Sequence, residues 1–285
     1  MKKPIPIIAG PTAGGKSAFA LKVAHRLNAQ IINADSLQVY KDILILSARP
    51  TVEEQKGILH HLYGYIDAYT TMSVASWLTN VKECLDKIET PIFVGGTGLY
   101  IKALTEGIST IPEVDPFVRE LVRQMPIEEV HAKVVDCTAI DPQRLRRALE
   151  VQLSTGKSLK YFQDQPKVKI TDKEFQIFFL NPDRNDLYNR CNKRFINMLE
   201  IGAIEEVKHL NKINATGGVK KAIGVHQISK WLNNEISKEQ MIEEATKETR
   251  HYAKRQVTWF KNQFPNAVSF KPSEISDILN TYFKK

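Results

Sequence analysis

Short apolar runs alternate with amphipathic stretches over the first third of the chain. Ile5, Ile7 and Ile8 form one run, a glycine-rich segment follows from Gly10 to Gly15, and Ser17 to Leu27 then places Ala18, Leu21 and Ala24 at helical spacing. That pattern predicts strand, loop and helix in succession. A second strand starts at Ile31 and Ile32 and runs to Asp35, helical spacing returns from Ser73 to Ile88, and Pro91 to Val94 forms a third strand stopped by Gly95 and Gly96. Strands that alternate with helices predict an α/β fold with a parallel sheet, because each parallel pairing needs a crossover connection. Beyond Pro112 the texture changes to charged helical stretches punctuated by Pro116, Pro126 and Pro142, until Phe175 to Leu180 restores a buried-strand signature. The expected core is residues 1–112 and 170–285, with a small helical insertion domain over 113–169. From Tyr188 the chain reads as helical again, with a break at Gly217 and Gly218 and a long basic helix from Lys238 to about Phe260.

Composition adds little to that picture and charge adds more. With 285 residues, 42% hydrophobic and 25% charged, the chain is long enough for one large core and one smaller domain, and it matches neither a disordered nor a membrane-bundle composition. Forty basic against 32 acidic residues leave +8, which favours a polyanionic partner wherever the excess is clustered. Cys84, Cys137 and Cys191 are isolated from one another, so no disulfide framework or paired-ligand zinc site is expected, and a cytoplasmic protein is. Lys2 and Lys3 precede an apolar run that stops at Ala9, too short for a secretory leader, and no stretch reaches the ~20 apolar residues of a membrane span. His60 and His61 are adjacent with no sensibly spaced third ligand, so they are assigned packing or a turn rather than metal chemistry.

The glycine-rich segment is chemically specific. Gly10-Pro11-Thr12-Ala13-Gly14-Gly15-Lys16-Ser17 fits G-x-x-x-x-G-K-[ST], the P-loop, between a strand and a helix. In that setting backbone N–H groups converge on phosphate oxygens at a helix N-terminus, Lys16 adds positive charge, and the Ser17 hydroxyl is placed to ligate Mg²⁺. The fold class expected is therefore a P-loop NTPase-like parallel sheet. Yet the third strand runs into Gly95-Gly96-Thr97-Gly98 with no carboxylate at its end, where P-loop NTPases place a Mg²⁺-holding Asp. This favours a diphosphate substrate over hydrolysed ATP, although a small-molecule kinase stays open. Asp35 leaves its strand at the same sheet edge and suits a base or an orienting acceptor, unless it only shapes a turn before Ser36. Thr97 faces the same cleft or caps the helix before Leu99.

Cationic residues recur in two later helices. After Asp141-Pro142, Arg144 and Arg147 share one face while Leu145 and Leu149 share another; in the last long helix Lys247, Arg250, Lys254 and Lys261 are interleaved with Tyr252, Trp259 and Phe260. Such faces suit a phosphate backbone with stacked bases, or equally a solvated surface over a core-facing aromatic stripe.

Taken in order, the blocks GPTAGGKS from Gly10, ADSLQVYK from Ala34, SARP from Ser47, HHL from His60, FVGGTGLYIKAL from Phe93, DPQRLRRALEV from Asp141, RFINMLEIGAIEEV from Arg194 and YAKRQVTWF from Tyr252 resemble the tRNA dimethylallyltransferases of the short bacterial type. The resemblance spans most of the chain. It implies transfer of a dimethylallyl group from its diphosphate to the exocyclic amine of the tRNA adenine 3′-adjacent to the anticodon, by a monomer that uses Mg²⁺ and meets the tRNA anticodon arm partly through its helical insertion. It assigns Asp35, Lys16 and Thr97 to catalysis. Gly10, Pro11, Thr12, Ala13, Gly14, Gly15, Lys16 and Ser17 would hold the diphosphate, with the metal at Ser17. The implied tRNA contacts are Asp35, Ser36, Leu37, Gln38, Thr97, Arg119, Gln143, Arg144, Leu145, Arg146, Arg147, Lys221, Lys254, Arg255, Gln256, Trp259 and Lys261. One block departs: Lys221-Ala222-Ile223-Gly224-Val225-His226 stands where the family carries Arg and then Val/Ile-Gly-Tyr-Arg/Lys, and a Lys cannot make a bidentate Arg contact. The expected consequence is activity with altered tRNA choice. A tRNA-binding protein without activity is the remaining alternative.

Overall fold

A computed structural model describes residues 3–284; Lys2, at the basic start of the chain, lies outside them. The strands are β1 (Ile5–Ala9), β2 (Gln30–Asn33), β3 (His60–His61), β4 (Pro91–Gly95), β5 (Phe175–Leu180) and β6 (Val268–Phe270). They form one six-stranded sheet in the order β3-β2-β4-β1-β5-β6 with every pairing parallel. The helices are α1 (Lys16–Leu27), α2 (Val74–Lys87), α3 (Gly98–Glu106), α4 (Pro116–Gln124), α5 (Ile127–Lys133), α6 (Pro142–Thr155), α7 (Leu159–Gln163), α8 (Arg184–Glu200), α9 (Ala203–Lys212), α10 (Val225–Leu232), α11 (Lys238–Gln263) and α12 (Ile275–Tyr282). Ile7, Ile8, Ile92 and Phe93 in the central strands are fully buried, as a parallel sheet covered on both faces requires. One apolar cluster packs α1 against the sheet through Phe19, Val23, Phe178 and Phe270; another joins Val39, Tyr40 and Ile43 to α8, α9, α10 and α11.

Three differences from the sequence reading have local causes. His60 and His61 are a two-residue strand beside β2, not a turn, held at that edge by a contact of 2.7 Å between His61 Nε2 and Gln30 Oε1. A strand of two or three residues shows no period, which is also why β6 escapes the pattern. β2 stops at Asn33 rather than Asp35, because the Asn33 side chain accepts from Asp35 N at 2.8 Å and donates to Asp35 O at 2.9 Å, turning the backbone off the ladder. The next strand, β4, ends in close backbone approach: a Cβ at Gly95 would lie 2.1 Å from Ala34 O. Gly95→Ala is expected to destabilise the protein by about 1–3 kcal/mol, read as a lowered urea midpoint; an unchanged midpoint would contradict this packing.

The chain divides into two compact units, residues 1–105 with 171–285, and residues 106–170. The second unit starts ahead of Pro112, where the sequence texture changes, because Ile108 and Val168 exchange backbone hydrogen bonds of 3.1 and 2.9 Å that close its neck. Its core is Val122, Val130, Leu145 and Leu149. Asp141 caps α6 by accepting from Arg144 N at 3.0 Å, with Pro142 opening the helix. This arrangement turns two of the residues named as RNA contacts inward. Leu145 is 2% exposed in the core and offers no side chain to a ligand. Arg146 donates to the carbonyls of Val122 and Met125, so its guanidinium is spent on the end of α4. Arg119, Gln143 and Arg144 are exposed, and Arg147 sits 3.6 Å from Glu150.

Candidate active site

The loop between β1 and α1 is shaped before any ligand arrives. Gly15, at φ 96°, caps α1, and Gly14 N donates to Pro11 O at 3.1 Å. The Lys16 ammonium folds back to the same carbonyl at 2.8 Å. Among the described residues, the amides of Ala13, Gly15, Lys16 and Ser17 have no protein acceptor, and no acidic side chain occupies the first turn of α1. Free amides and the positive end of a helix dipole together make an anion site.

Across from the loop stands Asp35. Its Oδ1 accepts from Leu37 N at 3.0 Å, so it shapes a turn, and it also lines the cavity in front of the loop; the two readings of this residue hold together. Thr97 does not cap α3 with its side chain. Its hydroxyl accepts from Ser36 N at 2.9 Å and fixes the backbone next to Asp35.

The cavity holds about 320 Å³, and Thr12 to Ser17, Asp35, Arg194, Phe195, Met198 and Tyr252 are among its walls. A second cavity of about 400 Å³ is bordered by Ser36, Thr97, Leu99, Lys221, Glu248 and Arg255. Leu37, Ile223 and Tyr252 line both, so the two spaces meet across one mostly apolar wall. Enclosure sets the electrostatics. Although Lys16 as a residue keeps some surface, its ammonium is desolvated, which lowers its pKa to about 8, opposed by the Asp35 carboxylate and reinforced by Arg194. Desolvation also lowers the Arg194 pKa, with Asp35 opposing. Burial pushes the Tyr252 hydroxyl well above the usual phenol range, with the Asp35 charge adding to it, so Tyr252 stays neutral.

Arg194 is a lining residue of the loop cavity that the sequence analysis did not single out. It reaches Thr12 Oγ1 at 3.4 Å, and its signal was legible: it shares the α8 face with Cys191 and Met198, an arginine on an otherwise apolar stripe. The other implied contacts divide. Ser36, Leu37, Thr97, Lys221 and Arg255 border the second cavity, and Trp259 lies over Gly98 beside a smaller one. Lys254 and Lys261 are exposed on α11. The Gln38 amide donates to Ser47 O and Ala48 O, and the residue lines the loop cavity. Gln256 is 6% exposed, with both amide atoms engaged inside the protein.

The donor set suits magnesium held chiefly by a substrate. Among the described residues there is no cluster of three or more His, Cys, Asp or Glu side chains that could hold a metal alone. The Ser17 hydroxyl, which lines the loop cavity, is a hard oxygen donor of the kind Mg²⁺ accepts beside phosphate oxygens.

A family profile described as IPP transferase matches residues 38–263, and one described as isopentenyl transferase matches residues 3–67. The tRNA dimethylallyltransferase of Rhizobium etli is 42% identical over 281 residues, covering 92% of this chain and 94% of that protein. That of Erythrobacter litoralis is 42% identical over 307 residues, covering 99% and 97%. Among solved structures, the tRNA isopentenylpyrophosphate transferase from Bacillus halodurans aligns with a TM-score of 0.72 at 29% identity, covering 98% of this chain and 95% of that one. A eukaryotic dimethylallyltransferase acting on tRNA aligns with a TM-score of 0.79 at 28% identity, covering 99% and 76%.

Proposed function

The chain belongs to the IPP transferase family, and on that premise we propose that it transfers a dimethylallyl group from dimethylallyl diphosphate to the exocyclic amine of the adenine 3′-adjacent to a tRNA anticodon. The observation that carries this reading is the shared wall: the loop with Lys16 and Arg194 fills one side with Asp35, while the other side is rimmed by Lys221 and Arg255. A diphosphate fits the first space and an extruded purine the second. The amine attacks C1 of the allyl group, the C1–O bond breaks, and the electron pair leaves with diphosphate. Asp35 accepts the proton that the amine sheds. Negative charge grows on the departing diphosphate, where the free loop amides, Lys16 and Arg194 are already placed to receive it. Leu37, Ile223 and Tyr252 keep water from the allyl group as positive charge develops on it. Ser17 would hold a magnesium ion beside the diphosphate, and that ion, when bound, would supply further charge neutralisation. The working unit in this reading is a monomer, and the tRNA meets it through the anticodon arm. No helix among the described residues is long and apolar enough to cross a membrane, in keeping with action on cytoplasmic tRNA.

Incubation with unmodified tRNA, Mg²⁺ and dimethylallyl diphosphate, followed by nucleoside mass spectrometry, is expected to yield isopentenyladenosine beside the anticodon. ATP consumption with a nucleotide acceptor, or tRNA binding without product, would overturn the reading. Arg194→Gln removes one cation from the diphosphate side; it is expected to raise the KM for dimethylallyl diphosphate by about 10–100-fold with the KM for tRNA little changed. Steady-state kinetics with each substrate varied in turn measure both.

A further inference from the structure

Gln256 lies in the middle of α11 with its side chain turned into the protein, 6% exposed. Its Oε1 accepts from Thr12 N at 2.8 Å, and its Nε2 donates to Gly96 O at 2.8 Å. Only this orientation of the amide satisfies both ends, since the reverse sets donor against donor and carbonyl against carbonyl. One side chain thus bridges the entry of the diphosphate loop to the turn after β4. That turn carries Thr97, which holds Ser36 N at 2.9 Å, and Ser36 adjoins Asp35. The resulting path runs Thr12, Gln256, Gly96, Thr97, Ser36, Asp35, and it joins the two halves of the site along its edge. The fit is tight, because a Cβ at Gly96 would lie 2.3 Å from Gln256 Nε2.

The same helix faces both substrates. Tyr252, one turn before Gln256, lines both cavities, and Trp259, just after it, covers Gly98, while Lys254 and Arg255 stay exposed. A residue that merely touched RNA would lie with the latter pair. Because its amide faces inward and is fully used, we propose that Gln256 is a positioning residue: it sets the alignment of the diphosphate loop with Asp35, so that the allyl carbon and the adenine amine meet in line. This role rests on the prenyl-transfer reading above. Drawing Thr12 N toward α11 also leaves the amides of Ala13, Gly15, Lys16 and Ser17 as the set open to the diphosphate.

Two substitutions separate alignment from contact. Gln256→Glu keeps an acceptor for Thr12 N and loses the donor to Gly96 O; Gln256→Met loses both at similar volume. In both, the single-turnover rate of transfer at saturating tRNA and dimethylallyl diphosphate is expected to fall ~10–100-fold, while the Kd for tRNA stays within about threefold. A saturating rate that does not change overturns the role, as does a weakened tRNA Kd with the saturating rate intact, the signature of a direct contact. Absence of transfer by the unaltered protein would overturn the functional reading and this role with it, whereas transfer untouched by either substitution overturns only the role. Should the variants fail to fold, amide exchange in the unaltered, substrate-free protein decides: slow exchange at Thr12 supports the bridge, and exchange as fast as at Ala13 refutes it.

Discussion

Asp35→Asn is expected to slow prenyl transfer by ~10²–10⁴-fold, the range a positioned general base contributes, while tRNA affinity holds. The substitution is clean on structural grounds. Asparagine keeps an oxygen at the Oδ1 position, so the bond from Leu37 N that shapes the turn survives, as do the bonds that the backbone amides of residues 35 and 36 donate to Asn33 Oδ1 and Thr97 Oγ1. What disappears is the capacity to take a proton from an amine. Single-turnover assays at saturating substrates measure the loss, filter binding measures the affinity, and near-normal turnover would remove Asp35 from the proposed role.

Lys16 carries the second large effect. Lys16→Met is expected to lower kcat/KM for dimethylallyl diphosphate by ~10²–10³-fold, since it removes a charge aimed at the leaving group from a partly enclosed site. A pH signature accompanies it. Desolvation brings the Lys16 pKa down to about 8, so in the free protein the ammonium is charged below that pH and neutral above it. Diphosphate favours the charged form. Affinity for a non-reactive diphosphate analogue should therefore be flat below pH 8 and weaken above it, approaching tenfold per pH unit, with a proton taken up on binding. The stability sign is opposite: the unfolded chain binds more protons than the folded one between about 8 and 10.5, so stability gains from this group as pH rises through that window. Calorimetric titrations across pH test the affinity, and a slope that persists in Lys16→Met would assign it to another group.

The position of the loop and of Asp35 was legible because each lies close in sequence to the strand that places it. The P-loop is one contiguous segment, and an aspartate two residues past a buried strand cannot avoid the sheet edge. The elements that escaped, β3 and β6, are too short for a hydrophobic period to register. The residues whose side chains turn inward escaped notice for another reason. Arg146 and Gln256 sit among surface-type residues, yet their side chains are committed to partners distant in sequence, Met125 and Thr12, and no local pattern reports such a bond. Arg194 is the converse, a charge on an apolar stripe whose meaning emerges only when the loop it faces is in place.

The wall of Leu37, Ile223 and Tyr252 has a pharmacological corollary. Because the spaces on its two sides adjoin, a purine tethered to a pyrophosphate mimic through a five-carbon bridge could occupy both at once. Its second half would bind at the high effective concentration that a short tether confers, so its potency should far exceed that of either fragment. ATP analogues with no group reaching past Tyr252 would gain nothing from that tether, which gives inhibitor chemistry a handle for separating this enzyme from ordinary nucleotide-binding proteins.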